Sequence, residues 1–383
     1  MKINLPAPVA KSAGTGARTT TALLAGFLVL VSPSASQAQN KPFDQPADVM
    51  SSTQREGVGF RSGSFIVAPV PFDNPSLGTG LALGGAYLFK NDRLSDASTL
   101  AFGGFRSSNG SEGYGFGLNL SWDDDRWLAK LVVADADLNF DLYPFGTPVP
   151  VSQTISGVSF ELAYSPVKNY RFGGTVAYGE YRLNPGAGAI LSSVSTADAS
   201  LDIARVSGFG EYDTRDDTIY PTTGSKITGT ITRGMFIDLG RDAYTKAIVS
   251  GTRYWSWGSA SVVAARAVAC QTSDGAPFFD SCSLGTTDNF RGYVSTEFLD
   301  DALISFQAEY RGRLTGRIGL VGFAGAGSVG DDLGDAAGGD FRAAAGVGLR
   351  IRLSKTFPLD YAIDLATNER GEQLLYISVG QRF

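Results

Sequence analysis

The chain has 383 residues and a formal net charge of −6 at pH 7, and its 48 Gly residues outnumber its 24 Phe, 15 Tyr and 4 Trp residues together. Only 18% of the residues are charged and 2 are Cys, which excludes a coiled coil, a disordered tail and a disulfide-rich scaffold. The absence of His excludes Ser–His–Asp catalysis and His-ligated metal sites.

The amino terminus is predicted to be an export signal. Basic residues precede the apolar run 22–31, and no acid occurs before Asp44. The run is too short to span a bilayer as a helix, and the small residues that end at Ala38 fit a signal-peptidase site. A buried N-terminal helix is the alternative. We therefore expect residues 1–38 to be a signal peptide, and no other stretch resembles a membrane helix.

Residues 39–61 are polar and contain prolines, and we interpret them as a short periplasmic leader. From residue 62 onward, apolar and polar residues alternate in segments separated by Gly, Asp, Asn and Ser. A strand period of 2 separates such residues onto two faces, whereas a helix period of 3.6 would scatter them. In segment 304–314, one face carries Ile304, Phe306, Ala308, Tyr310 and Leu314, and the other carries Ser305, Gln307, Glu309, Arg311 and Arg313.

Sixteen such segments predict an all-β fold, a single 16-stranded antiparallel transmembrane β-barrel over residues 62–383. A soluble sandwich would pack the apolar faces together, whereas a membrane barrel turns them outward to lipid. Export, segments of about 10 residues and an aromatic terminus favour the barrel. The predicted strands are 62–72, 78–90, 97–108, 112–122, 126–139, 153–165, 169–182, 198–212, 224–236, 242–256, 258–270, 302–314, 316–328, 341–353, 359–367 and 373–383.

Three motifs occur in order along the second half of the chain. The first is a D-x-R-D…P-x-x-G turn formed by Asp213, Arg215, Asp216, Pro221 and Gly224. The second is the Asn-Phe-Arg-Gly-Tyr sequence 289–293, and the third is the E-x-R sequence of Glu309 and Arg311. With a terminal strand that ends on Phe383, these motifs resemble the BamA/TamA superfamily of outer-membrane barrels, also called bacterial surface antigens. The resemblance covers residues 62–383.

The resemblance implies an inward-folded extracellular loop. In the family, the Arg of the R-G-F/Y motif meets acids on the next two strands inside the lumen. Here Arg291, Gly292 and Tyr293 would form this latch with Glu309, because a buried Arg is favourable only when it is paired. The second acid is missing from its usual place, where this chain has Gly325. An ordinary exposed loop Arg is the alternative.

If the first strand rises from the periplasm, the 213–224 connection is periplasmic and the 270–301 connection is extracellular. In the former, we expect Asp213, Arg215 and Asp216 to bond the turn's own backbone, with Pro221 and Gly224 fixing its exit. Acid catalysis and calcium binding are the less favoured interpretations. In the latter, Cys270 and Cys282 are the only cysteines of an exported chain, so we expect a disulfide rather than a free reactive pair.

A further set of arginines is predicted to face the lumen: Arg311, Arg313, Arg342, Arg350 and Arg352. In a water-filled pore they would raise the local concentration of anions. A structural network with Glu309 and loop acids is the alternative, and both remain open. In the terminal strand, the resemblance implies that Tyr376 and Phe383 belong to the barrel-assembly signal.

Three functions are weighed. The resemblance implies insertion or translocation of proteins or lipids at the bacterial outer membrane. Residues 39–60 are too few for a client-capturing POTRA domain, so this role would need a separate periplasmic partner or act through the barrel wall alone. The alternatives are a passive porin-like channel with a loop plug, and a structural surface barrel without transport activity.

We expect no enzyme activity, because no nucleophile–base constellation stands out, and we expect no cofactor and no metal. The expected partners are outer-membrane lipid and lipopolysaccharide, and the outer-membrane assembly machinery during biogenesis. No nucleic-acid partner is expected.

Overall fold

The computed structural model describes residues 58–143, 147–185, 200–218, 220–237, 240–258, 260–286, 290–352 and 360–381. The predicted signal peptide and all but the end of the predicted leader lie outside the described residues, as does Phe383. Among the described residues, no helix is long and apolar enough to cross a membrane.

The strands of the described residues are β1 (Ser64–Asn74), β2 (Gly78–Phe89), β3 (Ser98–Ser107), β4 (Glu112–Trp122), β5 (Trp127–Leu142), β6 (Val149–Val167), β7 (Tyr170–Pro185), β8 (Ser200–Asp213), β9 (Gly224–Phe236), β10 (Tyr244–Trp257), β11 (Ser261–Thr272), β12 (Cys282–Leu284), β13 (Phe298–Asp300), β14 (Ala302–Arg313), β15 (Ile318–Gly330), β16 (Arg342–Arg352), β17 (Asp360–Asn368) and β18 (Gln373–Val379).

Sixteen of these described strands are antiparallel and close into one barrel, and the predicted fold class is confirmed. The sheet follows chain order, except that β11 pairs with β14, and it closes by pairing of β1 with β18. Between β11 and β14, the short β12 and β13 form a separate two-stranded sheet, and a six-residue helix, α1 (Leu333–Gly338), follows β15.

The two faces of each strand follow the predicted alternation. On β14, Ser305, Glu309 and Arg311 are buried, whereas Phe306 and Tyr310 are 52% and 49% exposed. On β14, the buried face is therefore largely polar and the exposed face is apolar, which is the reverse of a water-soluble protein. This arrangement is the one required when the outer surface is covered by lipid.

Three strands are longer than predicted. β6 has 19 residues and reaches Val149, whereas the predicted strand begins at residue 153. Most of the additional length of β5, β6 and β7 lies at one end, where the exposed face carries polar groups such as Ser152, whose hydroxyl donates to Asn139 at 2.6 Å. The buried face there carries Phe140, Leu142 and Val151. The alternation is thus reversed relative to β14, and the prediction, which looked for one face that stays apolar along the strand, stopped near this reversal.

Turn length distinguishes the two ends of the barrel. At one end, β6 and β7 are joined by Lys168 and Asn169 alone, and Asn169 has the positive φ of 72° that tight turns favour. At the other end, residues 273–301 connect β11 to β14. Short turns are periplasmic and long loops extracellular in such barrels. We call these the inner and outer ends; aromatic pairs at the inner end, such as Trp127 and Tyr164 with ring centroids 4.6 Å apart, are typical of the membrane interface.

Candidate functional site

Arg291 is the centre of a buried charge cluster in the 273–301 connection. Its side chain is fully buried, and Nη2 lies 2.5 Å from Oε2 of Glu309 on β14. Nη1 lies 2.8 Å from Oδ2 of Asp364 on β17, and Nε donates to Oε1 of Gln307 at 3.1 Å. The guanidinium also lies over the Phe323 ring, 3.7 Å from its centroid. One cation from the connection thus contacts three strands of the barrel wall.

Asp364 supplies the second carboxylate that the sequence pattern lacked. Gly325 occupies the position where the family resemblance leads one to expect that acid, and Asp364 on a different strand contacts Arg291 instead. A Cβ at position 325 would lie 2.9 Å from Cε2 of Phe290 and would also approach the backbone of β14. The connection therefore packs closely against residue 325, while the acid comes from the polar face of β17.

Gly292 and Tyr293 also contact the wall. The backbone N–H of Gly292 donates to the Tyr376 hydroxyl at 3.0 Å, and its φ of 124° is a conformation that L side chains rarely adopt. A Cβ on Gly292 would collide with the side chain of Ala344 on β16. The Tyr293 hydroxyl donates to the Ala343 carbonyl at 2.9 Å. The predicted latch residues are thus brought together, and Tyr376 joins them.

A second attachment of the same connection was missed by the sequence analysis. Asp280 accepts from Arg205 of β8, with Nη2 and Oδ2 2.6 Å apart, and from the hydroxyl of Tyr244 on β10. Arg205 also donates to the Tyr181 hydroxyl at 2.6 Å, and the adjacent Phe279 is 1% exposed. Asp280 belongs to no recognisable motif, so only the fold relates it to Arg205.

The predicted disulfide is present and makes the third attachment. Cys270, near the end of β11, is bonded to Cys282 of β12, with a Cα–Cα distance of 5.8 Å. Together, the disulfide, Asp280 and Arg291 attach the 273–301 connection to the wall at three separate points.

At the inner end, the 214–223 turn is organised by carboxylates. Arg215 donates from Nη2 to Oδ2 of Asp213 at 2.7 Å, and Asp213 Oδ1 also accepts from the Arg215 backbone N–H at 3.0 Å. Asp216 accepts from the backbone N–H groups of Thr222 and Thr223 at 2.8 and 3.0 Å. Burial lowers the pKa of the Arg215 guanidinium, whereas its hydrogen bond to Asp213 raises it. The net result is a raised pKa.

The exit of the turn is set by its last residues. Gly224 has φ 98°, and a Cβ there would collide with the Thr214 carbonyl. Pro221 is buried between Tyr220 and this exit. These contacts are the geometry expected of turn chemistry; among the described residues, no group of three or more Cys, Asp or Glu is arranged to hold a metal ion.

Every one of the predicted lumenal arginines lies beside a carboxylate. The pairs are Arg311 with Glu309 at 2.6 Å, Arg342 with Glu369 at 2.9 Å, Arg350 with Asp364 at 2.5 Å, Arg352 with Asp360 at 2.7 Å, and Arg313 with Asp360. A cation that is already paired attracts dissolved anions weakly, so these contacts favour the structural network over a selectivity element.

Tyr220 brings the inner turn into contact with this network. Its ring centroid lies 4.8 Å from Cζ of Arg313, 5.5 Å from Cζ of Arg352 and 5.7 Å from Cζ of Arg311. These arginines belong to β14 and β16, whereas Tyr220 follows β8. The turn therefore reaches strands that are not its neighbours in the sheet.

Comparisons with known proteins agree with the barrel architecture. Residues 97–383 match the model of the Omp85 superfamily domain. A crystal structure of BamA from Haemophilus ducreyi lacking POTRA domains 1–3 is similar, with a TM-score of 0.60 and 14% identity over 83% of this chain and 70% of that chain.

Two CdiB structures are also similar. CdiB from Escherichia coli has a TM-score of 0.60 and 15% identity, over 82% of this chain and 62% of that chain. CdiB from Acinetobacter baumannii has a TM-score of 0.55 and 12% identity, over 83% of this chain and 59% of that chain. This chain thus spans less than two thirds of the length of either CdiB chain, and the likeness shows a shared fold. The comparison with curated proteins gave no match.

Proposed function

Because the chain belongs to the Omp85 superfamily, we propose that it takes part in inserting or translocating proteins or lipids at the bacterial outer membrane. The family and the location in the bacterial outer membrane were both predicted from the sequence, and both predictions are confirmed. The activity is inferred from the buried cluster at Arg291, which carries the proposal together with the family resemblance.

The buried charges at Arg291 fix the position of the connection more than they stabilise the fold. Removing Arg291 and its two carboxylates from water costs free energy that their mutual attraction only partly returns, so such a cluster contributes little to net stability. It does define one position for the connection, because only one placement brings Arg291 within hydrogen-bond distance of both carboxylates. We infer that the connection folds into the lumen and that Arg291 latches it there.

A latched connection distinguishes a gated barrel from an open pore. A passive channel needs a continuous aqueous path, and its selectivity residues must face that path. Here the connection is attached at three points, and the arginines that would select anions are paired with carboxylates. These contacts favour a barrel closed at rest over the porin-like channel.

Client capture requires more than the described residues, which form the barrel and its connections. We propose that a separate periplasmic partner delivers the client, or that the client contacts the barrel wall directly. The apolar outer face would meet outer-membrane lipid and lipopolysaccharide, and the assembly machinery would insert the barrel itself during biogenesis.

Two measurements on the refolded barrel test the proposal. In liposomes, a urea-denatured outer-membrane protein is expected to insert faster than into empty liposomes of the same lipid. In planar bilayers, the native barrel is expected to give a low, flickering conductance that Arg291→Ala converts to a large, steady one. Arg342→Ala is the matched control, because Arg342 is also ion-paired but its side chain is 38% exposed.

The outcomes separate the three functions. A large, steady conductance in both the native protein and Arg291→Ala would establish a simple pore and refute the latch. Silence in both, with no faster client insertion, would leave a structural barrel and refute the proposed activity.

A further inference from the structure

An apolar groove crosses the outward face of the wall between β9 and β15. It is an open depression with a volume of about 460 Å³. Its floor contains Gly251, Ala265, Ala308 and Ala324, and the larger side chains of Ile227 and Phe306 stand at its sides. This face lies in the bilayer, so hydrocarbon rather than water fills the groove.

Strand register aligns three alanines of the groove floor in one row across neighbouring strands, and Arg253 lies at the start of that row. Arg253 on β10 pairs with Ala265 on β11, which pairs with Ala308 on β14, which pairs with Ala324 on β15. Arg253 is four residues from the inner end of β10, whereas Ala324 is six residues from the inner end of β15. The row therefore rises from the inner membrane interface toward the middle of the wall.

Arg253 is an exposed cation at the edge of this apolar groove. Its Nη1 donates to the Ser225 hydroxyl at 2.8 Å, and its Cζ lies 5.9 Å from the ring centroid of Trp255. Among the described residues, no carboxylate is paired with it. Trp255 and Trp257 are 46% and 70% exposed on the same face, as is typical of side chains at headgroup depth. The cation is thus held at the level where lipid phosphates lie.

We propose that this groove binds one glycerophospholipid of the periplasmic leaflet, with its phosphate on Arg253 and one acyl chain along the row from Ala265 to Ala324. A guanidinium matches a phosphate in charge and in the geometry of its donors. Because the floor side chains are small, the groove has room for a hydrocarbon chain, whereas a flat lipid-facing wall would not. The site depends on the barrel being in the membrane and is independent of the proposed activity.

Native mass spectrometry of the refolded chain in detergent tests the site. The probes are palmitoyl-oleoyl phosphatidylglycerol, the diacylglycerol with the same chains, and glycerol 3-phosphate. We expect one phosphatidylglycerol per barrel, bound about tenfold more tightly than the diacylglycerol, and no binding of glycerol 3-phosphate. Arg253→Gln should remove the tenfold preference, and Ala308→Phe should abolish binding of both lipids by filling the floor.

Matched variants on the same outer face serve as controls. Arg233→Gln removes an exposed cation near the outer end of β9, and Val347→Phe enlarges an exposed side chain on β16 that does not line the groove. Both should bind phosphatidylglycerol as the native protein does. Ala324→Phe replaces Ala308→Phe if the latter fails to show the heat-dependent electrophoretic shift of a folded barrel.

The proposal is refuted if the native barrel binds phosphatidylglycerol and the diacylglycerol equally. It is also refuted if several lipids bind with no preferred stoichiometry, or if Arg253→Gln and the groove-filling variant bind as the controls do.

Discussion

The 214–223 turn and the 273–301 connection use the same chemistry, Arg paired with Asp, over very different distances along the chain. In the turn, Arg215 bonds Asp213, two residues away. In the connection, Arg291 bonds Asp364, 73 residues away, and Asp280 bonds Arg205, 75 residues away. The inner turn can therefore form from its own segment, whereas the contacts of the connection exist only once the barrel has closed.

The largest expected effect comes from Arg291→Met. It removes a fully buried side chain that bridges Glu309, Asp364 and Gln307. Arg311 and Arg350 still pair the two carboxylates, but the lost hydrogen bonds lie in the protein interior, and we expect a loss of about 3 kcal/mol in the free energy of unfolding. Urea denaturation in micelles measures it. Arg215→Met, at the inner turn, should cost about 1 kcal/mol, because the Asp213 carboxylate keeps its hydrogen bond from the backbone N–H of residue 215. Equal losses would contradict the distinction between the turn and the connection.

The disulfide gives the next largest effect. It closes a short loop, and removing it in Cys270→Ser with Cys282→Ser should lower the free energy of unfolding by about 3 kcal/mol or slightly less. If the three attachments act together, the double variant should also raise the conductance. An unchanged conductance would show that Asp280 and Arg291 hold the connection without the disulfide.

Asp216→Ala tests the inner turn alone. It leaves the N–H groups of Thr222 and Thr223 without their acceptor, and about 1 kcal/mol should be lost. Because these bonds are local, conductance and the position of the outer connection should not change. A change in single-channel conductance would show that the turn and the outer end are coupled, which Tyr220 and its contacts with Arg313 would explain.

The smallest expected effect is a pH dependence at another inner turn. Burial, and then the charge of Asp125, raise the pKa of Asp96 to about 7, while Lys90 and Arg171 act in the opposite direction. The folded state thus holds a proton that the unfolded state, with its ordinary carboxyl pKa, releases. The contribution of this proton to the free energy of unfolding is complete below the pKa of the Asp96 carboxyl in the unfolded state, and it is lost as the pH rises through about 7.

We therefore expect a lower unfolding midpoint at pH 8 than at pH 5, and a smaller difference in Asp96→Asn. Urea titrations at the two pH values measure both midpoints. A native protein whose midpoint rises between pH 5 and pH 8 by the same amount as that of Asp96→Asn would contradict the prediction.

The sequence pattern predicted which face of a strand each residue occupies. It did not predict which residues of different strands lie at the same level in the barrel. Alternation assigned Glu309 and Arg311 to the polar face, and the predicted bounds of β9, 224–236, agree with the structure. Asp364 lies on a polar face as well, but alternation does not say which polar residues of β14 and β17 stand at the same level. That level depends on strand tilt and register, which become fixed only when the barrel closes.

The extra length of β5, β6 and β7 gives the barrel an uneven rim. Nineteen residues of β6 span about 45 Å even after allowance for strand tilt, against an apolar band of about 25 Å. On the other side of the barrel, β17 and β18 are joined at the outer end by residues 369–372 alone. The outer rim of the barrel is therefore high and hydrophilic on one side, where it projects above the lipid surface, and low on the other side. A molecule that approaches the barrel from the exterior meets the high side of the rim at β5, β6 and β7, and it has a shorter path to the lumen over β17 and β18.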